Sequence, residues 1–153
     1  MLNELYSRFV IPAADFMVEF RDDKGLPLPS YDLWEERRGI HTFTVASVIA
    51  GLKEAVDFAN LFGAVDKAEI YKKTADDMKA AMIKYLYDKD LKRFLRMINF
   101  DKDGNILKDD NIDASLYAIF EFGVFPATDP LVETTMSAVK DKLWVKTEVG
   151  GVA

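Results

Sequence analysis

The chain contains no cysteine and a single histidine, His41. The first absence excludes disulfides, thiolate metal sites and cysteine nucleophiles. The second excludes a metal cluster built from several histidines. Positive charge is also scarce: 20 Lys and Arg stand against 26 Asp and Glu, for a net charge of −6 and a pI near 4.8. Nucleic acids and anionic membrane surfaces are bound through clustered Lys and Arg, so neither is expected as a partner. A neutral ligand stays compatible. No run approaches the roughly 18 apolar residues that span a bilayer. The opening M-L-N-E-L-Y-S-R-F carries Glu4 before any apolar run and has no basic leader, so it does not read as a signal peptide. A cytoplasmic protein is expected. What is present is enough for one folded domain with a core: 153 residues, 50% hydrophobic and 12% aromatic.

Most of the chain has helical periodicity. Residues 2–21 place Leu2, Leu5, Tyr6, Phe9, Val10, Ala13, Phe16, Met17 and Phe20 three and four apart, with Pro12 predicting a kink or a late start. A second helix, capped by Thr42 or Thr44, runs to about Leu61 and stops at Phe62-Gly63. Its stretch T-V-A-S-V-I-A-G-L is small and apolar on nearly all sides, as in buried helices. A more charged helix follows from about Asp66 to Tyr87. Arg93–Phe100 resembles a strand, and D-K-D-G-N (101–105) a hairpin turn. The same stretch fails as a calcium loop, because the glycine falls at position 4 instead of 6 and Ile112 takes the place of the terminal glutamate. Helices return at Asp113–Gly123 and at about Leu131–Trp144. The expected class is all-α, about five helices with a short β-hairpin excursion, matching part of a helical toroid or solenoid better than a symmetric bundle.

The segment S-Y-D-L-W-E-E-R-R-G-I-H-T-F-T (residues 30–44) does not fit a solvated connector. It follows Pro27 and Pro29, which break any preceding helix, and it brings Tyr31, Asp32, Trp34, Glu35 and Glu36 together. Glycoside hydrolysis requires a carboxylic acid to protonate the leaving oxygen and a second carboxylate on the far side of the sugar. A glutamate held against an aromatic ring is partly desolvated, which suits it to proton donation. Flat rings also stack on sugar faces. The competing reading is that W-E-E-R is the ragged start of a surface helix. His41 reads as a satisfied structural or helix-entry residue. Ser30 and Ser115 have no histidine partner in a recognisable motif.

The hexapeptide Tyr31–Glu36, followed by Gly39 and Phe43-Thr44, resembles the general-acid signature of glucoamylase-type enzymes, the family 15 glycoside hydrolases. M-I-N-F-D (97–101), D-A-S-L (113–116), Asp129-Pro130 and V-G-G-V-A (149–153) are similar to segments further along that family, and the prokaryotic, archaeal-type members are the nearest in style. The resemblance implies a partial (α/α)6 barrel, the alpha/alpha toroid of these glycosidases. It makes Glu35 the general acid and Glu36 a carboxylate for sugar hydroxyls. Asp32 and Trp34 become pocket wall and hydrogen-bond network, with Tyr31 lining the same pocket. It further implies exo-acting, inverting hydrolysis of α-glucosidic bonds from non-reducing ends. The substrate is an α-glucan oligosaccharide or an α-linked disaccharide, trehalose in some branches, and no metal or organic cofactor is needed.

The family barrel has twelve helices, and its catalytic base lies far downstream of the acid. Residues 1–153 are therefore expected to be a fragment of one catalytic domain, with Glu133 and Glu148 in contexts unlike that of the base and no activity alone. Apolar faces left uncovered should promote self-association. The alternative expectation is a non-catalytic helical carbohydrate-binding or interaction module on the same scaffold. A helical-repeat protein unrelated to sugars is disfavoured by the aromatic and carboxylate content of residues 30–44.

Overall fold

The computed structural model describes residues 2–152. Its centre is a helical hairpin. Helix α3 (Thr42–Leu61) and helix α4 (Val65–Leu86) are joined by only three residues and pack antiparallel along their lengths. Alanines at 46, 55, 59, 68, 75 and 81 let the backbones approach, while Ile49, Leu52, Tyr71, Met78 and Met82 fill the seam. Each such large side chain removed from water contributes about 1.5–3 kcal/mol. No residue of α3 from Thr42 to Leu52 is exposed, in agreement with its small, apolar sequence.

Before this pair, the predicted first helix is interrupted. Helix α1 (Leu2–Leu5) passes into a π-helical turn (Tyr6–Val10) and then into α2 (Ile11–Glu19). Pro12 sits in the first turn of α2, where its missing N–H and its ring break the regular ladder, and the widened turn absorbs the defect. Asp15 of α2 accepts hydrogen bonds from Tyr71 Oη (2.7 Å) and Lys67 Nζ (2.9 Å), tying α2 to α4.

The strand content exceeds the predicted hairpin. Strands β1 (Ser30–Tyr31), β2 (Arg38–His41), β5 (Met97–Phe100) and β6 (Ile106–Asp109) form an antiparallel sheet in that order. Strands β3 (Tyr87–Asp88) and β4 (Arg93–Phe94) form a separate pair, so the expected single strand 93–100 is split. The split has a cause in hydrogen bonding: Leu95 N–H goes to Leu86 O, and the Leu95 and Arg96 carbonyls receive the Thr42 side chain and amide. Thr42 is thus committed to this junction, and the residue at the N-cap of α3 is His41. A 3-10 turn (Ala114–Tyr117) capped by Asp113 leads into α5 (Ala118–Glu121). Helix α6 (Pro130–Leu143), capped by Asp129, packs against β4, where Thr135 Oγ1 accepts the Phe94 N–H. The chain then forms a hairpin of β7 (Val145–Thr147) and β8 (Gly150–Val152); Ala153 of the V-G-G-V-A run lies outside the described residues. Among the described residues no helix is long and apolar enough to cross a membrane.

Candidate active site

The aromatic and acidic segment is the loop of a β-hairpin. Strands β1 and β2 pair Ser30 with Gly39 and Tyr31 with Arg38, and residues 32–37 make the turn between them. Asp32 N–H closes the loop on Arg37 O at 3.0 Å. Inside it, Asp32 Oδ1 accepts the backbone N–H groups of Trp34 (3.2 Å), Glu36 (2.9 Å) and Arg37 (3.4 Å), so one carboxylate templates the whole turn. Partial burial opposes charge on Asp32. The Glu36, Arg37 and Trp34 amides, with His41 nearby, outweigh it and hold the acid below its usual range.

Gly39 explains itself in this setting. A Cβ there would lie 2.4 Å from Met97 Sδ and 2.5 Å from its Cγ, so only glycine lets β2 lie flat under β5 without displacing that side chain. On the sheet side β2 is buried, and on the loop side almost everything faces water. Tyr31 is 60% and Trp34 70% exposed, and Glu35 and Glu36 are exposed too. Among the described residues no hydrogen-bond partner reaches either glutamate's carboxylate. The desolvating contact expected for Glu35 is therefore not supplied by this chain, because the loop tip projects away from the core instead of folding onto it.

Glu35 adopts a left-handed backbone conformation, φ +57°. For a residue with a Cβ this costs about 1–2 kcal/mol. The same Asp-templated turn occurs twice more. Asp22 accepts from Lys24 and Leu26 N–H, and Asp101 from Asp103 and Asn105 N–H; the left-handed position in each is glycine, Gly25 or Gly104.

At its base the loop abuts a narrow cleft of about 20 Å³ whose lining includes Asp32, Trp34, His41, Arg96, Asp113 and Ser115. The cleft is too small for a sugar ring. Its members Arg96, Asp113 and Ser115 were not singled out as site residues from sequence. The available signal was Arg96, a charge set in the apolar run R-F-L-R-M-I-N-F that calls for a counter-ion. That counter-ion is Asp109 on β6, which receives both Arg96 Nε (3.1 Å) and a second guanidinium nitrogen, with Arg37 at 3.9 Å. Burial pushes Asp109 upward, but Arg96 and Asn111 overcome it and keep the acid below its usual range. His41 and Ser115 share the cleft, yet Nε2 of His41 is committed to Arg37 O at 3.0 Å and Ser115 is bonded through its amide to Asp113. The pair has no triad geometry. Glu133 and Glu148 are exposed and lie outside the cleft. Among the described residues no group of three or more potential metal ligands comes together.

The family model described as Glycosyl hydrolases family 15 matches residues 26–150. An uncharacterized glycosyl hydrolase of Methanocaldococcus jannaschii, MJ1610, is 31% identical over 126 residues, covering 81% of this chain and 19% of that protein. A probable glucoamylase of Schizosaccharomyces pombe is 38% identical over 47 residues, 31% of this chain and 10% of that one. Among solved structures, a bacterial glucoamylase crystallised with acarbose superposes with a TM-score of 0.78 at 23% identity, covering 97% of this chain and 24% of that chain. That likeness shows the fold alone, of the α/α-toroid type with small sheets added. The chain spans about a fifth of the M. jannaschii relative and about a quarter of the bacterial enzyme.

Proposed function

The chain belongs to glycosyl hydrolases family 15, and from that premise we propose that it carries the proton-donating loop of an exo-acting, inverting α-glucosidase. Glu35 is the general acid: it gives its proton to the glycosidic oxygen as the bond from that oxygen to the anomeric carbon breaks. Glu36 binds sugar hydroxyls, Trp34 and Tyr31 provide flat walls, and Asp32 holds the turn that presents them. The water that attacks from the opposite face needs a second carboxylate about 6.5–9.5 Å from the first. Glu133 and Glu148 are poor candidates for that base, so it is assigned to residues outside this segment. The substrate is the non-reducing end of an α-glucan, or an α-linked disaccharide such as trehalose.

The observation that carries this reading is the left-handed Glu35. A turn made with glycine at two other places in the chain is made here with a glutamate, in a backbone conformation that glutamate disfavours. Lys92, in the β3–β4 turn, is left-handed too at φ +53°. What supports the assignment at position 35 is that the conformation falls in a loop that also presents the exposed Tyr31 and Trp34.

The test is Glu35→Gln in the longer enzyme that carries this segment. Hydrolysis of maltose should fall about 10²–10⁴-fold, and the wild type should release the β-anomer of glucose first. Undiminished turnover by the variant, or first release of the α-anomer, would overturn the assignment. The 153-residue chain alone should not turn over maltose or trehalose. It should self-associate through exposed Phe9, Phe16 and Phe20 on its first helical segment, a face that the rest of the domain would cover.

A second reading, a non-catalytic carbohydrate-binding module, draws on the same exposed Trp34 and Tyr31. Saturable binding of maltose by a longer protein without any hydrolysis would favour it.

A further inference from the structure

We propose that His41 is a positioning residue for Glu35, acting through Arg37; the proposal deepens the glycosidase reading and its kinetic arm rests on it. The loop's internal hydrogen bonds shape it but do not attach it to the protein. Asp32 can template the turn equally well whether the hairpin tip sits in one place or swings about its two short strands. Attachment comes from the far side of the loop, at Arg37, two residues beyond the acid.

Arg37 is held at both of its ends. Its carbonyl oxygen accepts the Asp32 N–H and also lies 3.0 Å from His41 Nε2. A carbonyl can only accept, so Nε2 carries the proton and donates. Its guanidinium lies 3.9 Å from Asp109 Oδ2, the same oxygen that receives the Arg96 guanidinium. The anchor under the carbonyl is rigid. His41 is only 3% exposed, pairs with Met97 of the central strand β5, and stands at the start of the 20-residue helix α3. The imidazole therefore fastens a solvent-facing loop to the buried end of β2, where the strand enters α3. A displacement of about 1 Å at a reacting group can cost on the order of 100-fold in rate, so a hydrogen bond that holds the loop has a catalytic consequence without touching substrate.

Two variants separate this role from packing. His41→Phe keeps the ring and removes the donor; His41→Gln restores an amide N–H that can reach the same carbonyl. In this chain, His41→Phe should raise amide hydrogen exchange at Trp34–Arg37 about tenfold and speed tryptic cleavage after Arg37, with exchange in the middle of α4 unchanged. His41→Gln should return both towards wild type. In the longer enzyme, His41→Phe should lower kcat on maltose about 10–100-fold with KM little altered. It should lower hydrolysis of α-glucosyl fluoride, whose leaving group departs without a proton, by less than about threefold. Unchanged loop exchange in His41→Phe, or equal losses on the two substrates, would overturn the proposal. If the wild-type enzyme cleaves neither substrate, the glycosidase reading fails while the exchange and proteolysis arms still decide the role of His41.

Discussion

The loop that carries Glu35 and the turn at 101–105 are built on one plan and differ in one residue that matters. In both, an aspartate takes the N–H groups two and four residues on, at 3.2 and 2.9 Å in the first and 2.9 and 2.8 Å in the second. In both, the N–H three residues on returns to the aspartate's own carbonyl at 3.1 Å. The residue bearing that N–H is left-handed, at φ +57° for Glu35 and +82° for Gly104. The 101–105 turn joins two strands and uses the residue type that makes the conformation free of strain. The loop at 32–37 is one residue longer, closes on Arg37, and puts glutamate where glycine would serve the backbone better. Strain at a non-glycine residue raises the hypothesis that its side chain is wanted for something other than folding. Lys92 in the β3–β4 turn shares the conformation at φ +53°, but only at Glu35 do exposed Tyr31 and Trp34 accompany it. The turn at 101–105 shows what the loop would look like with that demand removed.

Exchanging the residues breaks the comparison most sharply. Glu35→Gly gives the loop the turn's residue at the left-handed position, and two effects of opposite sign are expected. Stability of the 153-residue chain should rise by about 1 kcal/mol, the strain relieved less the extra freedom of glycine in the unfolded chain. Maltose hydrolysis by the longer enzyme should fall about 10²–10⁴-fold. Denaturant melts and steady-state rates read the two separately. A destabilised Glu35→Gly chain would mean that the Glu35 side chain supports the fold, and the contrast with Gly104 would lose its meaning.

The site was legible in the sequence only in part. The helix expected at 113–123 is a 3-10 turn and the four-residue α5, and the first helix is broken by a π-turn. The long helices α3, α4 and α6 were legible. The expected ends near Leu61, Tyr87 and Trp144 fall within one residue of the observed Leu61, Leu86 and Leu143. The signals there are local: periodicity over many turns, Gly63 after one helix and Pro130 opening another. The D-K-D-G-N turn is local as well, since Asp101 and Gly104 fix it within five residues. The hairpin beneath Glu35 was not legible. Strand β1 is two residues long, β2 reads R-G-I-H with no alternation, and its partner β5 is over fifty residues away. Nothing local says that R-G-I-H is a strand until Met97 and Ile98 arrive beside it. The motif residues could be named from resemblance, but their exposure could not, because burial at a loop tip depends on what else surrounds it. The Arg96–Asp109 pair was hidden for the same reason: β5 and β6 had to be in register before the two charges met.

A smaller effect sharpens the comparison from the other side. Gly104→Glu places in the exposed turn the side chain that the loop carries, and no atom lies within 4 Å of the Cβ it would add. The entire change is then backbone strain, and a loss of about 1 kcal/mol is expected in a denaturant melt. Gly104→Ala should lose about as much, since the strain comes from having a Cβ at all. Loss in the glutamate variant alone would point to charge repulsion among Asp101, Asp103 and the new carboxylate, and would weaken the use of this turn as a measure of strain at Glu35.

The smallest expected effect concerns the aspartates that template the two turns, and it runs in the same direction for both. Asp101 is held below its ordinary 3.8 first by the Asn105 side chain and backbone amides, then by the Asp103 and Gly104 amides, against some desolvation. At Asp32 desolvation is the largest influence and acts upward, but the Glu36, Arg37 and Trp34 amides together outweigh it. A carboxylate whose folded pKa is lowered stabilises the fold above its unfolded value, and that stabilisation is lost as pH falls through the lowered value. Both turns should therefore be indifferent to pH between 5 and 8 (roughly the range in which both carboxylates stay ionised) and should loosen only below pH 3.8. The amide proton shifts of Glu36 and Asn105, followed by NMR on acidification, read the two carboxylates individually. Asn105 has a side-chain amide on its aspartate and Glu36 does not, so the Asn105 turn should persist to lower pH than the Glu36 loop. A Glu36 amide that moves at or above pH 3.8 would show that desolvation prevails at Asp32. The loop would then be held in shape by its anchor at Arg37 instead of by its own aspartate.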